Sequence, residues 1–189
     1  MRAQKTAQMA EIALMSAVLC VISPFAIPVP MSPVPLSLST FAVYVTALIL
    51  GARKGAVCIL IYLFLGIVGL PVFSGFSGGI GVLVGPTGGY LIGYLVCVVV
   101  TGLSTEAAVL KKCFGKRQFL QNVFSMVLGT LSCYVPGTVW FLFVMEGTWS
   151  LGQVLLVCVV PYLTLDMMKI FVAATLAPLI KKALVLRIR

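Results

Sequence analysis

The stretch PYLTLDMMKIFVAATLAPLI, residues 161–180, is long and apolar enough to cross a bilayer, yet it carries Asp166 and Lys169 three residues apart. A membrane-crossing helix needs roughly 20 predominantly apolar residues, and this run supplies them. On a helix, an i,i+3 pair lies on one flank, about 60° and about 4.5 Å of rise apart. An uncompensated charge in the hydrocarbon costs several kcal/mol. The two charges therefore neutralise each other in a salt bridge, or they mark a site that faces the bundle interior or a watery cavity.

The rest of the chain supports the membrane reading. Of 189 residues, 61% are hydrophobic and 9% charged, and the mean hydropathy is +1.19, values outside the range of soluble domains. No polar block is long enough to fold in water as a catalytic or nucleotide-binding module, so residues 1–189 are read as one membrane domain. Apolar runs broken by turn residues predict six transmembrane helices at about 8–23, 36–51, 54–70, 86–104, 118–145 and 162–182. Pro161 divides the last helix from the apolar residues 150–160. Those are read as a short segment on the outer side, with Thr164 as a candidate N-cap of the helix that follows. The apolar run after Arg2 and Lys5 is read as a helix and not a cleaved leader, because Glu11 opens it and a proline series from Pro24 to Pro35 follows it.

Charge orients these helices. Arg2 and Lys5, Arg53 and Lys54, the group Lys111, Lys112, Lys116 and Arg117, and the group Lys181, Lys182, Arg187 and Arg189 fall at the N-terminus, two loops and the C-terminus. With six crossings all four groups share one side, and the positive-inside rule makes that side, and both termini, cytoplasmic. The net charge of +9 is thus accounted for by topology, and nucleic-acid binding is not expected. Six cysteines show no C-x-x-C pair and there is no histidine, so neither a metal site nor a cofactor is expected.

A second anomaly is GLPVFSGFSGGIGVLVGPTGGY, residues 69–90, an irregular glycine-rich loop predicted on the outer side between the third and fourth helices. Backbone of this kind survives at membrane depth when it is buried in protein or lines a cavity, which makes it a wall or lid for a pocket around Asp166 and Lys169. The loop has no phosphate-binding spacing. Its pairs Gly75/Gly79, Gly85/Gly89 and Gly89/Gly93 also fit close helix packing, the reading preferred for the last pair. Ala13 and Ala17 have the same small-residue spacing, for a partner contact or for internal packing.

Taken together, IPVPMSPVPLSL, GLPVFSGFSGG, GPTGGYLIGY and PYLTLDMMK resemble the BioY family, biotin-binding S components of energy-coupling factor (ECF) transporters, in order along nearly the whole chain. The resemblance implies a non-enzymatic, multi-pass cell-membrane subunit, surrounded by lipid, that captures biotin from outside. It also implies delivery with a transmembrane coupling protein and a pair of cytoplasmic ATPases. On the same basis Asp166 and Lys169 are implied to receive the cyclic urea and the carboxylate of biotin. Tyr90, Phe73, Ser77 and Ser39 are implied to line the site, with Phe73, Phe76 and Tyr90 as walls around the ring and chain of biotin, and Ala13 and Ala17 to meet the coupling protein. Ser77 and Leu91 stand where some family members carry asparagine and arginine, and Ser39 where many carry glutamine. Two other readings are another vitamin or a biotin precursor on the same scaffold, and a small intramembrane enzyme using Asp166 as a proton acceptor.

Overall fold

The computed structural model describes residues 2–29, 32–110, 116–146 and 148–188, and among them the chain is overwhelmingly helical. In chain order come α1 (Arg2–Ile22), β1 (Ala26–Ile27), β2 (Leu36–Ser37), α2 (Ser39–Ile67) and α3 (Ile80–Val84). They are followed by α4 (Gly88–Leu110), α5 (Lys116–Val144), α6 (Leu151–Cys158) and α7 (Val160–Ile188). Five of these helices are long and apolar enough to cross a membrane. Among the predicted basic flanks, Lys111, Lys112 and Arg189 lie outside the described residues, as do Pro30 and Cys113.

The six predicted crossings and the five long helices are reconciled at Gly51. This residue has φ 77° and ψ −172°, which interrupts α2. That backbone conformation is essentially confined to glycine. A Cβ placed on Gly55 would stand 3.9 Å from the Thr46 carbonyl oxygen, whereas nine residues of straight helix would separate the two by about 13 Å. The chain therefore doubles back, and α2 is a helical hairpin with arms 39–50 and 52–67. The carboxylate of Glu106 on α4 accepts the Ala52 N–H at 2.9 Å, satisfying a donor at the start of the second arm. Lys54 pairs with Glu11 of α1 at 3.0 Å close to the same turn.

Small residues bring α4 and α5 together. A Cβ on Gly93 would lie 2.7 Å from the Cys133 carbonyl oxygen, and one on Gly89 would lie 2.2 Å from Cβ of Trp140. Neither position has room for a side chain, so the two backbones touch. Around this seam the core gathers Leu19 of α1, Tyr44 and Tyr62 of α2, Val98 of α4, Met126 of α5 and Ile170 of α7. The Tyr44 and Thr130 hydroxyls share a hydrogen bond of 2.6 Å inside it.

Several expectations need correction. Thr164 does not cap a helix: it is exposed within α7, which already begins at Val160 and carries Pro161 in its first turn, where a missing N–H costs nothing. The preceding apolar segment is indeed separate. α6 starts at a capping box between Ser150 and Gln153 and ends at Cys158, with Val159 as its C-cap. Before α2, Leu36 and Ser37, predicted as the start of a helix, instead form β2, which pairs with β1 through Ala26 with Ser37 and Ile27 with Leu36. The glycine-rich stretch is irregular except for the short α3 and for residues 88–90, which open α4. A Cβ added at its Gly75 or Gly79 would meet nothing within 4 Å, so that pair packs no helix, unlike Gly89 and Gly93.

Candidate functional site

At the end of the bundle remote from the Gly51 turn, α7 brings Asp166 and Lys169 inward. Asp166 is 4% exposed. Its Oδ1 accepts from Lys169 Nζ at 2.8 Å and from the Thr40 hydroxyl at 3.0 Å, while Oδ2 accepts from the Tyr134 hydroxyl at 2.6 Å. The Lys169 ammonium also donates to the Ser37 carbonyl at 2.8 Å and to Thr40 Oγ1 at 3.0 Å. Three elements thus converge: α7 supplies the charges, the strand-to-helix junction 37–40 supplies a carbonyl and a hydroxyl, and α5 supplies a phenol. The salt bridge and the interior site, alternatives from the sequence, coexist: the pair is mutual and it lines a cavity.

That cavity has two adjoining parts. The inner part, about 50 Å³, contains Thr40, Tyr134, Tyr162, Asp166 and Lys169. The outer part, about 220 Å³, is walled by Phe73, Ser74, Ser77, Val82, Thr87 and Leu91. Val34, Pro35, Ser37, Tyr90 and Tyr94 line both, so the two spaces adjoin between the glycine-rich loop and the buried charges. Its chemistry is an apolar and aromatic sleeve ending in a carboxylate and an ammonium, suited to a small molecule with a compact polar head and an apolar body. Among the described residues no three His, Cys, Asp or Glu side chains gather in metal-binding geometry.

Of the predicted site residues, Asp166, Lys169, Tyr90, Phe73 and Ser77 meet at this cavity, and Ser39 does not. Ser39 is fully buried one layer beneath, accepting from the Ser37 hydroxyl at 3.0 Å and donating to the Ser23 carbonyl at 3.3 Å. Phe73 is 1% exposed and its ring rests on Gly66, where an added Cβ would fall 2.0 Å from the ring. This contact requires a glycine. Ser77 donates its hydroxyl to the Ser74 carbonyl at 2.9 Å and closes the loop through Phe73 N–H to Ser77 O, also 2.9 Å. The Tyr90 hydroxyl is buried without a hydrogen-bond partner among the described residues. Phe76 is not a pocket wall: its positive φ of 56° turns it outward, 61% exposed, onto the edge of Phe25. Ala13 and Ala17 are exposed on α1, whose inner face is carried by Met15, Ser16 and Leu19, so the pair does no internal packing.

A family profile described as the BioY family matches residues 1–185. The chain belongs to the BioY family. It is 37% identical over 156 residues to the "Biotin transporter BioY" of Thermotoga maritima, covering 82% of this chain and 86% of that protein. It is 38% identical over 141 residues to the "Biotin transporter BioY2" of Lactococcus lactis, covering 75% and 72%. The fold is similar to the crystal structure titled as the S-component for biotin from an ECF-type ABC transporter. That match has a TM-score of 0.86 and 22% identity, over 96% of this chain and 94% of that one.

In this BioY-family chain the residues that sequence reasoning missed are Thr40, Tyr134, Tyr94 and Ser37. Tyr134 left one signal: a tyrosine well inside an apolar span, two residues before Pro136, far from the interface where tyrosines usually reside. A phenol there needs a polar partner.

Proposed function

We propose that this chain is the biotin-capturing subunit of a vitamin uptake transporter and not an enzyme. It takes biotin from the outer face of the cell membrane and passes it inward with an ECF coupling protein and its ATPase pair. Family membership, the names of the relatives and the likeness of fold support this reading. The observation that carries it is the buried Asp166 carboxylate, held by Lys169, Thr40 and Tyr134 at the inner end of a sleeve of aromatic and small residues.

The chemistry matches biotin. Its bicyclic head presents a cyclic urea whose N–H groups need acceptors, and an ionised carboxylate is the strongest acceptor a protein offers. Lys169, beside that carboxylate, offsets its charge, its three N–H donors directed at Ser37, Thr40 and Asp166. Phe73, Tyr90 and Tyr94 enclose the apolar body of the ligand. The orientation follows from charge: the Gly51 turn carries Arg53 and Lys54 at the end remote from the cavity, so the positive-inside rule opens the cavity outward. The outward-facing Ala13 and Ala17 fit a close helix contact with the coupling protein.

Equilibrium binding of labelled biotin to the purified full chain, with desthiobiotin, thiamine and riboflavin as competitors, tests this function. Saturable binding displaced by desthiobiotin alone, and weakened in Asp166→Asn, is the expected result. A folded protein that binds no biotin would overturn it.

A further inference from the structure

The hydrogen bonds of the charged pair can be counted atom by atom. An ammonium has three N–H donors, and Lys169 directs them at Ser37, Thr40 and Asp166. A carboxylate has about four lone-pair positions, two per oxygen. Oδ1 of Asp166 receives both Lys169 and Thr40, whereas Oδ2 receives Tyr134 alone. The accepting capacity left at Asp166 is therefore on Oδ2, beside the Tyr134 oxygen. That phenol oxygen, having donated its proton to Oδ2, keeps its own lone pairs, and Tyr134 lines the inner cavity.

We propose that Tyr134 is a specificity-determining residue: its hydroxyl fixes Oδ2 of Asp166 toward the cavity and, with that oxygen, receives a ring N–H of the ligand. The inference rests on the function proposed above and names the side chain that selects for a urea-type N–H. Thr40 differs in kind. It bonds Oδ1 and Lys169, on the side of the carboxylate already filled, and so supports the pair without reading the ligand. A ligand whose N–H is replaced by N–CH₃ meets two oxygens with nothing to donate and a methyl group in the inner cavity. It is rejected because buried acceptors are left unpaired.

The experiment measures equilibrium binding of biotin and of biotin methylated at a ureido nitrogen to the full chain in detergent, as wild type, Tyr134→Phe and Thr40→Val. Discrimination between the two ligands should fall by about tenfold or more in Tyr134→Phe. In Thr40→Val affinity for both ligands should fall together and discrimination should stay. A loss of affinity with the ratio unchanged in Tyr134→Phe would assign Tyr134 a merely structural role and overturn the inference, as would an unchanged affinity and ratio. Should Tyr134→Phe fail to purify as a folded protein, a ring-fluorinated tyrosine at position 134 weakens the phenol as an acceptor at nearly constant volume. A reduced ratio there supports the inference and an unchanged one overturns it. Failure of the wild type to bind biotin at all would overturn the proposed function and this inference with it, whereas wild-type binding with an unaltered ratio overturns the inference alone.

Discussion

Lys169 stands one helical turn beyond Asp166 on α7, and its Nζ lies 2.8 Å from Oδ1 with both side chains largely buried. The pair is thus held by one helix and stabilised by two others.

Removing one member of a buried pair strands the other, at a cost of about 3–5 kcal/mol. Lys169→Met is expected to lower the thermal unfolding midpoint in detergent sharply. Asp166→Asn combined with Lys169→Met should recover most of that loss while biotin binding stays abolished. Wild-type affinity in the double variant would refute the assignment of recognition to this pair.

At the opposite end, Gly51→Ala is expected to destabilise by about 1–3 kcal/mol, because its backbone conformation excludes a side chain. The new Cβ would also stand 2.4 Å from Oε1 of Glu106. Glu106→Ala, which removes only the acceptor for Ala52 N–H, should cost about 1 kcal/mol. Unfolding midpoints of the two variants check both figures, and an unaffected Gly51→Ala would contradict the hairpin.

The wall of the cavity can be moved without touching its polar groups. Gly66→Ala pushes the Phe73 ring off its seat and should weaken biotin binding by about 1–3 kcal/mol through overpacking. Phe76→Ser, on an outward-facing residue, should change affinity by less than about 0.5 kcal/mol. Isothermal titration of both separates the two phenylalanines; equal effects would mean that the loop places them otherwise.

Gly93→Ala is expected to separate α4 from α5 at a cost of about 1–3 kcal/mol. Because the nearest atom is the backbone carbonyl of Cys133, the added substitution Cys133→Ala should not restore the midpoint. Full rescue would show that the sulfur alone sets the contact.

Much of this was legible in the chain because membranes make errors expensive. Charges cluster at one set of helix ends, so the crossings could be counted, and a lone Asp166 and Lys169 in an apolar run could only be functional or paired. The glycine and two cations at 51–54 marked the turn inside α2. Thr40 and Tyr134 were not legible as site residues. They meet Asp166 across 126 and 32 residues of sequence, and hydroxyls in apolar helices more often bond their own preceding turn, as Thr46 and Thr130 do. Nor could periodicity separate Phe73 from Phe76, three residues apart in a loop, of which only Phe76 has a left-handed backbone. The ladder β1–β2, two residues per strand, is too short to leave a pattern.

The bonds of Lys169 have a mechanical side. α4 and α5 are welded through their glycines, while α7 lies more lightly against the bundle, its charged groups tied to 37–40 and to α5 by a few polar links. A cargo molecule that draws a donor away from Ser37 or Thr40 loosens one of the fastenings that clamp α7 to its neighbours. With biotin at the proposed site, occupancy and the tightness of that helix would be coupled, and the last helix would be the part of the protein that feels whether the site is loaded.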